Sequence, residues 1–348
     1  MTMTSDKRRI LITGASGSLG QQLAYEFSRS GIKPVAHVRS GSDTSFIDSL
    51  GLEKRLADLR NREELERLVT GMEVVIHTAA WVDFRRDKAT QFAGINTFGA
   101  TGLYRAAAKA GVKRFVHVST VAAVGATPRT TSENIIQPKR LVNESHAFNL
   151  GHLRIPYILS KHAAEVELAS LAESSDTELV TVNPSIIIAP SRSGDDRARA
   201  LRLFNRVVVP DLRNWVNLVD VRDVAPGVIA ALEHGRPGER YILAGDNITA
   251  QEIVLAVSAI LGKAPPLVRP PRALLDVAAR LWVMLVRLTG RHKISFYPDL
   301  VKLIDFDWAF SSMKARRELG FRPRSIHTTL DDLLNDGFID SYAKPASG

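Results

Sequence analysis

The chain contains no cysteine, which excludes disulfides, thiolate metal sites and a cysteine nucleophile, and fits a reducing, cytoplasmic setting. It also lacks a long uninterrupted apolar run. The most hydrophobic stretch, "RALLDVAARLWVMLVRLTGRHK" (272–293), is broken by Asp276, Arg280 and Arg287, so it is not expected to span a bilayer. The opening "MTMTSDKRRILITGAS" passes from a short polar leader straight into a strand-like run. Without the apolar stretch of a secretory signal, no signal peptide is expected. No internal repeat, low-complexity tract or coiled-coil heptad is present.

Acidic residues are the scarcer charge, 37 against 46 lysines and arginines, for a net +9. The excess favours anionic partners such as a phosphorylated cofactor, an anionic lipid or a nucleic acid. No nucleic-acid recognition motif accompanies it, so no nucleic-acid partner is expected.

With 348 residues, 45% of them hydrophobic, the chain is long enough for one large or two interleaved domains. Up to about residue 190, short β-rich runs at 8–14, 34–39, 54–58, 73–79, 113–120 and 178–185 alternate with helical candidates at 18–30, 62–70, 94–110 and 157–173. This rhythm predicts an α/β fold, a doubly wound parallel Rossmann sheet. After Pro190 the alternation stops, yet 214–235 and 238–245 read as a strand-helix-strand return to the first domain. The expected organisation is therefore a dinucleotide-binding domain of 1–189 plus 214–245, and a smaller mixed C-terminal substrate region of 190–213 plus 246–348.

The first strand runs into "TGASGSLG", which places Gly14, Ser16, Gly17, Ser18, Leu19 and Gly20 in a turn and at the mouth of a helix. Glycines there permit a tight turn and close backbone approach, and a helix N-terminus offers N–H groups to a pyrophosphate. A glycine-rich turn without a ligand is the plainer alternative. At the end of the second strand, where an acid would bond a ribose 2′-hydroxyl, stands Arg39. A guanidinium grips a 2′-phosphate, so the expected cofactor is NADP(H) rather than NAD(H). Asp58 and Leu59 follow the third strand, near the adenine. Thr78, Ala79 and Ala80 are small where the chain must pass the cofactor, and His77 reads as a packed strand residue. No metal is called for.

Tyr157 and Lys161 stand four residues apart on a predicted helix, one turn apart on one face, where a phenol and an ammonium serve one small volume. The series TGxxGxxG, Asp58-Leu59, "HTAA", Asn96, "VST", Tyr157-xxx-Lys161 and "VNPS" resembles the extended short-chain dehydrogenases/reductases, within the NAD-dependent epimerase/dehydratase superfamily. The segment "NLVDVRDVAPGVIAALEHGRPGERYILAGDNIT" is similar to its dihydroflavonol-reductase and 3β-hydroxysteroid-dehydrogenase-like branch.

The resemblance implies that Tyr157 is the general acid/base. A free phenol has a pKa near 10, and a positive Lys161 beside it is expected to lower it. Lys161 would also hold the nicotinamide ribose, and Pro184 of "VNPS" would line the cofactor. Thr120 would bond the substrate carbonyl, with Ser119 as competitor, since strand alternation lets only one face the site. Asn96 would support the lysine, directly or through water. Helices 94–110 and 157–173 would pair two subunits into a homodimer.

Two departures stand out. The 37-residue gap from Thr120 to Tyr157 carries an insertion across 127–152, which either shapes the substrate pocket or is a surface addition. Thr120 is followed by "VAAVG" rather than the Asp-Glu pair of sugar-nucleotide 4,6-dehydratases, which argues against that reaction.

The expected function is an NADP(H)-dependent reductase or dehydrogenase of a small apolar ketone or secondary alcohol. The alternatives are a sugar-nucleotide epimerase with retained cofactor and a noncatalytic NADP-sensing regulator. Segments 190–215 and 272–288, with Phe204, Trp215 and Trp282, suggest the apolar substrate. A peripheral membrane contact by 272–288 is the less favoured reading against a packed helix.

Overall fold

The computed structural model describes residues 8–82, 89–129, 138, 140–190, 196–197, 200–201, 209–210, 214–263, 267–268, 277 and 298–335. Of the segment 272–288 only residue 277 is among these, and most of 190–213 lies outside them.

The central sheet contains β1 (Ile10–Thr13), β2 (Val35–Val38), β3 (Lys54–Leu56), β4 (Val74–His77), β5 (Arg114–Val118), β6 (Glu178–Pro184) and β7 (Arg240–Leu243). The order is 7-6-5-4-1-2-3 and every pairing is parallel. Its inner strands read as nearly unbroken apolar runs because helices cover both faces.

Successive residues take opposite sides. Ile10, Ile12, Val116 and Val180 pack with Phe27 of helix Ser18–Arg29 and Val228 of helix Val221–His234. Leu11, Val75, Phe115 and Leu179 pack with Leu65, Leu103, Ala164 and Leu168 from the helices Arg62–Val69, Ala100–Lys109 and Pro156–Ala172. This is the doubly wound arrangement expected from the alternation.

The 214–245 segment returns only in part. Its helix and β7 join the central layer, whereas Trp215–Asp220 pairs with Ile186–Ile188 and Asp246–Thr249 in a separate three-stranded sheet. Both edges of β6 are already taken, by β5 and β7, so the central sheet has no place beside it for that strand. Helices Ala250–Leu261 and Ile326–Leu334 cover the smaller sheet, through Ile253, Ala256, Ile326 and Leu330.

The insertion is packed where it is described. Thr127–Pro128 pairs with Phe306–Asp307, and Val142 bridges Phe310. Asn149 bonds the Ala126 amide and carbonyl (3.2 and 2.7 Å), while Leu150, Leu153 and Ile155 are buried with Phe306. The C-terminal region thereby folds back onto the strand end that carries Thr120. Among the described residues, no helix is long and apolar enough to cross a membrane.

Candidate active site

The glycine turn closes β1 over the start of its helix. Gly14 has φ +70°, and a Cβ there would lie 2.8 Å from the Ala79 backbone. A Cβ on Gly20 would collide with the Gly14 carbonyl oxygen and the Ala15 Cα. Both positions therefore require glycine for the protein's own close packing.

Helix Ser18–Arg29 begins at Gly17, with no side-chain cap and no acidic residue in its first turn. Its N–H groups and positive dipole end favour an anion. Gly17 and Ser18 are exposed there, Ser16 is half-buried, and Leu19 packs back against the core.

The turn is braced from both sides. Thr78 Oγ1 donates to the Thr13 carbonyl (2.6 Å), and His37 Nδ1 accepts from the Gly14 N–H (3.4 Å) while its Nε2 faces the Ala57 carbonyl (3.0 Å). That pair of partners requires a neutral imidazole. Burial holds the His37 pKa below its ordinary value.

Arg39 leaves the end of β2 exposed, with its guanidinium 5.9 Å from the Trp81 ring centroid. Asp58 is gripped by the Arg60 guanidinium (2.9 and 3.1 Å from Nε), which holds its carboxyl down to about 2. Leu59 is buried against the helix side of the sheet, Ala79 is half-buried and Ala80 exposed. Pro184 is buried at the end of β6, level with Leu243.

Pro156 opens the next helix at its first turn, a position that suits its fixed φ and missing N–H. This helix carries Tyr157, Lys161 and Glu165 at successive four-residue steps. The Tyr157 phenol shares a hydrogen bond with the Thr120 hydroxyl, which also accepts from the Ala122 N–H (3.3 Å). The Tyr157 ring packs against an apolar cluster that contains Leu150, Leu153, Ile155, Ile158 and Phe306, and meets Phe92 edge-on at 6.3 Å.

Lys161 is 2% exposed and donates to the Val118 carbonyl at 2.8 Å. Burial lowers its pKa to about 8, opposed by Glu165. The Tyr157 pKa departs from the expected direction. Burial among apolar groups pushes it up, and the Thr120 hydrogen bond only partly offsets this. The Lys161 ammonium meanwhile serves a main-chain carbonyl on β5.

Thr120, rather than Ser119, meets Tyr157. The Ser119 hydroxyl is buried without a partner among the described residues, as is that of Ser185.

Asn96 lies in a π-helical turn, Ala93–Gly99. It contacts not Lys161 but the preceding residue: its Nδ2 donates to Ser160 Oγ (3.1 Å) and the Trp81 carbonyl (3.1 Å), and its Oδ1 accepts from the Trp81 N–H (2.6 Å). Thr97 Oγ1 donates to the Ser160 carbonyl (2.9 Å). Adjacent α-helical residues diverge by about 100°, and the wider π turn lets both reach one residue.

Sequence reasoning passed over Thr97, Ser160, Glu165, Asn183 and Trp81. Asn183 Nδ2 donates to the Thr120 carbonyl (3.0 Å) and to Glu165 Oε1 (2.6 Å), tying the catalytic strand end to the helix. A signal was available in the position of Glu165, one turn beyond Lys161 on a face already marked as functional.

His37, His77 and His117 form a row with Thr13 across the sheet. Register places Thr13 beside both His37 and His77, and His77 beside His117. Thr13 Oγ1 lies 2.7 Å from His77 Nδ1, and the rings of His77 and His117 stack at 5.6 Å. Burial, with the nearby Lys161 charge second, pushes the His77 pKa down to about 3 and that of His117 well below its ordinary value.

The profile of the NAD dependent epimerase/dehydratase family matches residues 10–244. The sterol demethylase protein B of Methylococcus capsulatus is 29% identical over 330 residues, covering 93% of this chain and 96% of that one. A putative dihydroflavonol 4-reductase of Synechocystis is 29% identical over 339 residues, covering 94% and 95%. The crystal structure of gox2253 superposes with a TM-score of 0.78 at 28% identity, covering 97% of this chain and 99% of that one. The chain belongs to the NAD dependent epimerase/dehydratase family, on its extended short-chain dehydrogenase/reductase branch.

Proposed function

We propose that the protein is an NADP(H)-dependent reductase or dehydrogenase acting on an apolar ketone or secondary alcohol, with Tyr157 as its general acid/base. The observation that carries this reading is the Tyr157 phenol, bonded to Thr120 and set in an apolar cluster, one turn from the buried Lys161.

The residues present fit a nicotinamide dinucleotide: a tight glycine turn that admits no Cβ at Gly14 or Gly20, an uncapped helix start, and a cation at the end of β2. When bound, that cofactor supplies or accepts the hydride. The turn at 14–20 would hold its pyrophosphate and Arg39 its 2′-phosphate.

Tyr157 donates a proton to the substrate oxygen as charge builds there, and Thr120 orients that oxygen. A phenol kept protonated by burial is in the state this step needs. The apolar cluster against which Tyr157 packs, with Leu150, Ile155 and Phe306 among its members, favours an apolar substrate over a sugar nucleotide.

The test is a titration with NADPH and NADH by nicotinamide fluorescence, followed by a screen of apolar ketones. Tighter binding of NADPH, with roughly 10- to 100-fold of its affinity lost in Arg39→Asp, is expected from the removal of a charged hydrogen bond. Equal binding of both cofactors, unchanged by the substitution, would overturn the cofactor assignment. An endogenous cofactor retained through purification with no net NADPH turnover would instead favour the epimerase.

The chain is further proposed to pair through the helices that carry Asn96 and Tyr157. Phe98 and Val166 on these helices are 65% and 56% exposed, apolar side chains that a second subunit could cover. Light scattering should give a dimer for the wild type and a monomer for Phe98→Asp. A monomeric wild type would sink this assignment.

A further inference from the structure

We infer that Trp81 is a positioning residue for Arg39 and thereby sets the preference for a 2′-phosphorylated dinucleotide; this rests on the NADP(H) reading above. The two residues come from strand ends that are not neighbours. Arg39 follows β2, Trp81 lies just beyond β4, and β1 with its glycine turn runs between them. The guanidinium lies 5.9 Å from the indole centroid, inside the range of a cation–π contact. The pair therefore spans the mouth of the dinucleotide cradle.

Two further features make Trp81 a platform rather than a passing contact. Its main chain is held at both ends by Asn96, through the N–H at 2.6 Å and the carbonyl at 3.1 Å. Asn96 in turn bonds Ser160, the residue before Lys161, so the platform is fastened to the catalytic helix. The indole N–H is buried and has no acceptor among the described residues. Among the described residues the ring therefore meets the Arg39 guanidinium with no hydrogen bond of its own to fix it.

Arg39, for its part, is exposed, and among the described residues no carboxylate makes an ion pair with it. The nearby Asp58 is taken by Arg60. An arginine restrained only by an aromatic face keeps its fork free for a phosphate, and loses less side-chain freedom on binding than an unrestrained one. NADH has no 2′-phosphate for that fork, so its binding is indifferent to where the guanidinium sits.

The experiment measures NADPH and NADH dissociation constants of the full chain as wild type, Trp81→Leu, Trp81→Phe and Arg39→Asp. Expected is a loss of about two- to fivefold in NADPH affinity for Trp81→Leu, the size of an exposed cation–π contact. NADH affinity stays at its wild-type value, and Trp81→Phe restores most of the NADPH affinity.

A Trp81→Leu protein with the wild-type ratio of the two constants overturns the role of Trp81 while leaving the cofactor reading intact, provided Arg39→Asp abolishes the preference. Equal losses for both cofactors also overturn it, because they report general damage to the cradle. A wild type without NADPH preference overturns both the inference and the reading beneath it.

Discussion

Tyr157→Phe is expected to lower kcat by roughly 100- to 10,000-fold, the range lost when a general acid is removed, with little change in NADPH affinity. The substitution deletes one oxygen and leaves the ring against the apolar cluster that contains Phe306. The Thr120 hydroxyl keeps its hydrogen bond from the Ala122 N–H, so the strand end stays in place. The loss therefore falls on proton transfer and not on folding. Turnover of the best apolar ketone, with the NADPH dissociation constant and the melting temperature as controls, separates these effects. A kcat within threefold of wild type would remove Tyr157 from the chemistry, and a matching fall in melting temperature would assign it to structure.

Acidification should destabilise the fold well above the carboxylate range. His77 has an ordinary pKa of 6.5 and is pushed to about 3 by burial. The unfolded chain therefore takes up a proton that the folded chain refuses. Stability from this histidine is fully present above pH 6.5 and is lost progressively as the pH falls towards 3. Between pH 7 and pH 5 that single group should remove about 2 kcal/mol.

His37 and His117 act in the same direction, since burial lowers both. The Lys161 ammonium adds to the effect at His77 and His117, because a positive charge nearby opposes a second one. Protonating His37 would in addition remove the acceptor that its Nδ1 offers to the Gly14 N–H, so the glycine turn should loosen with the fold. Urea unfolding at pH 7 and pH 5, in wild type and His77→Gln, checks this. The variant should show a pH dependence smaller by about 2 kcal/mol. An unchanged dependence would mean that His77 protonates without cost in the folded state.

The features readable from sequence were those written within a few residues of one another. Near-continuous apolar runs marked the central strands because a strand covered on both faces needs apolar residues at every position. The turn at Gly14 and Gly20 was legible because a tight bend with close backbone contacts tolerates no Cβ. Tyr157 and Lys161 were legible because helical geometry alone stacks residues four apart. Each is a local constraint, and local constraints survive without knowledge of the rest of the chain.

Tertiary structure alone decided the rest. The histidine row depends on the register of four parallel strands, with the histidines 40 residues apart in sequence between His37 and His77, and again between His77 and His117. The partner of Asn96 depends on how one helix lies against another, which makes it a clamp between Trp81 and Ser160, the residue before Lys161. The insertion became part of the wall around Tyr157 because Phe306–Asp307 pairs with Thr127–Pro128 from far along the chain. The direction of the Tyr157 pKa reversed for the same reason. Charge spacing on a helix is visible in the sequence, but desolvation is set by every segment that packs over the phenol, and here burial raises the pKa with only the Thr120 hydrogen bond opposing it.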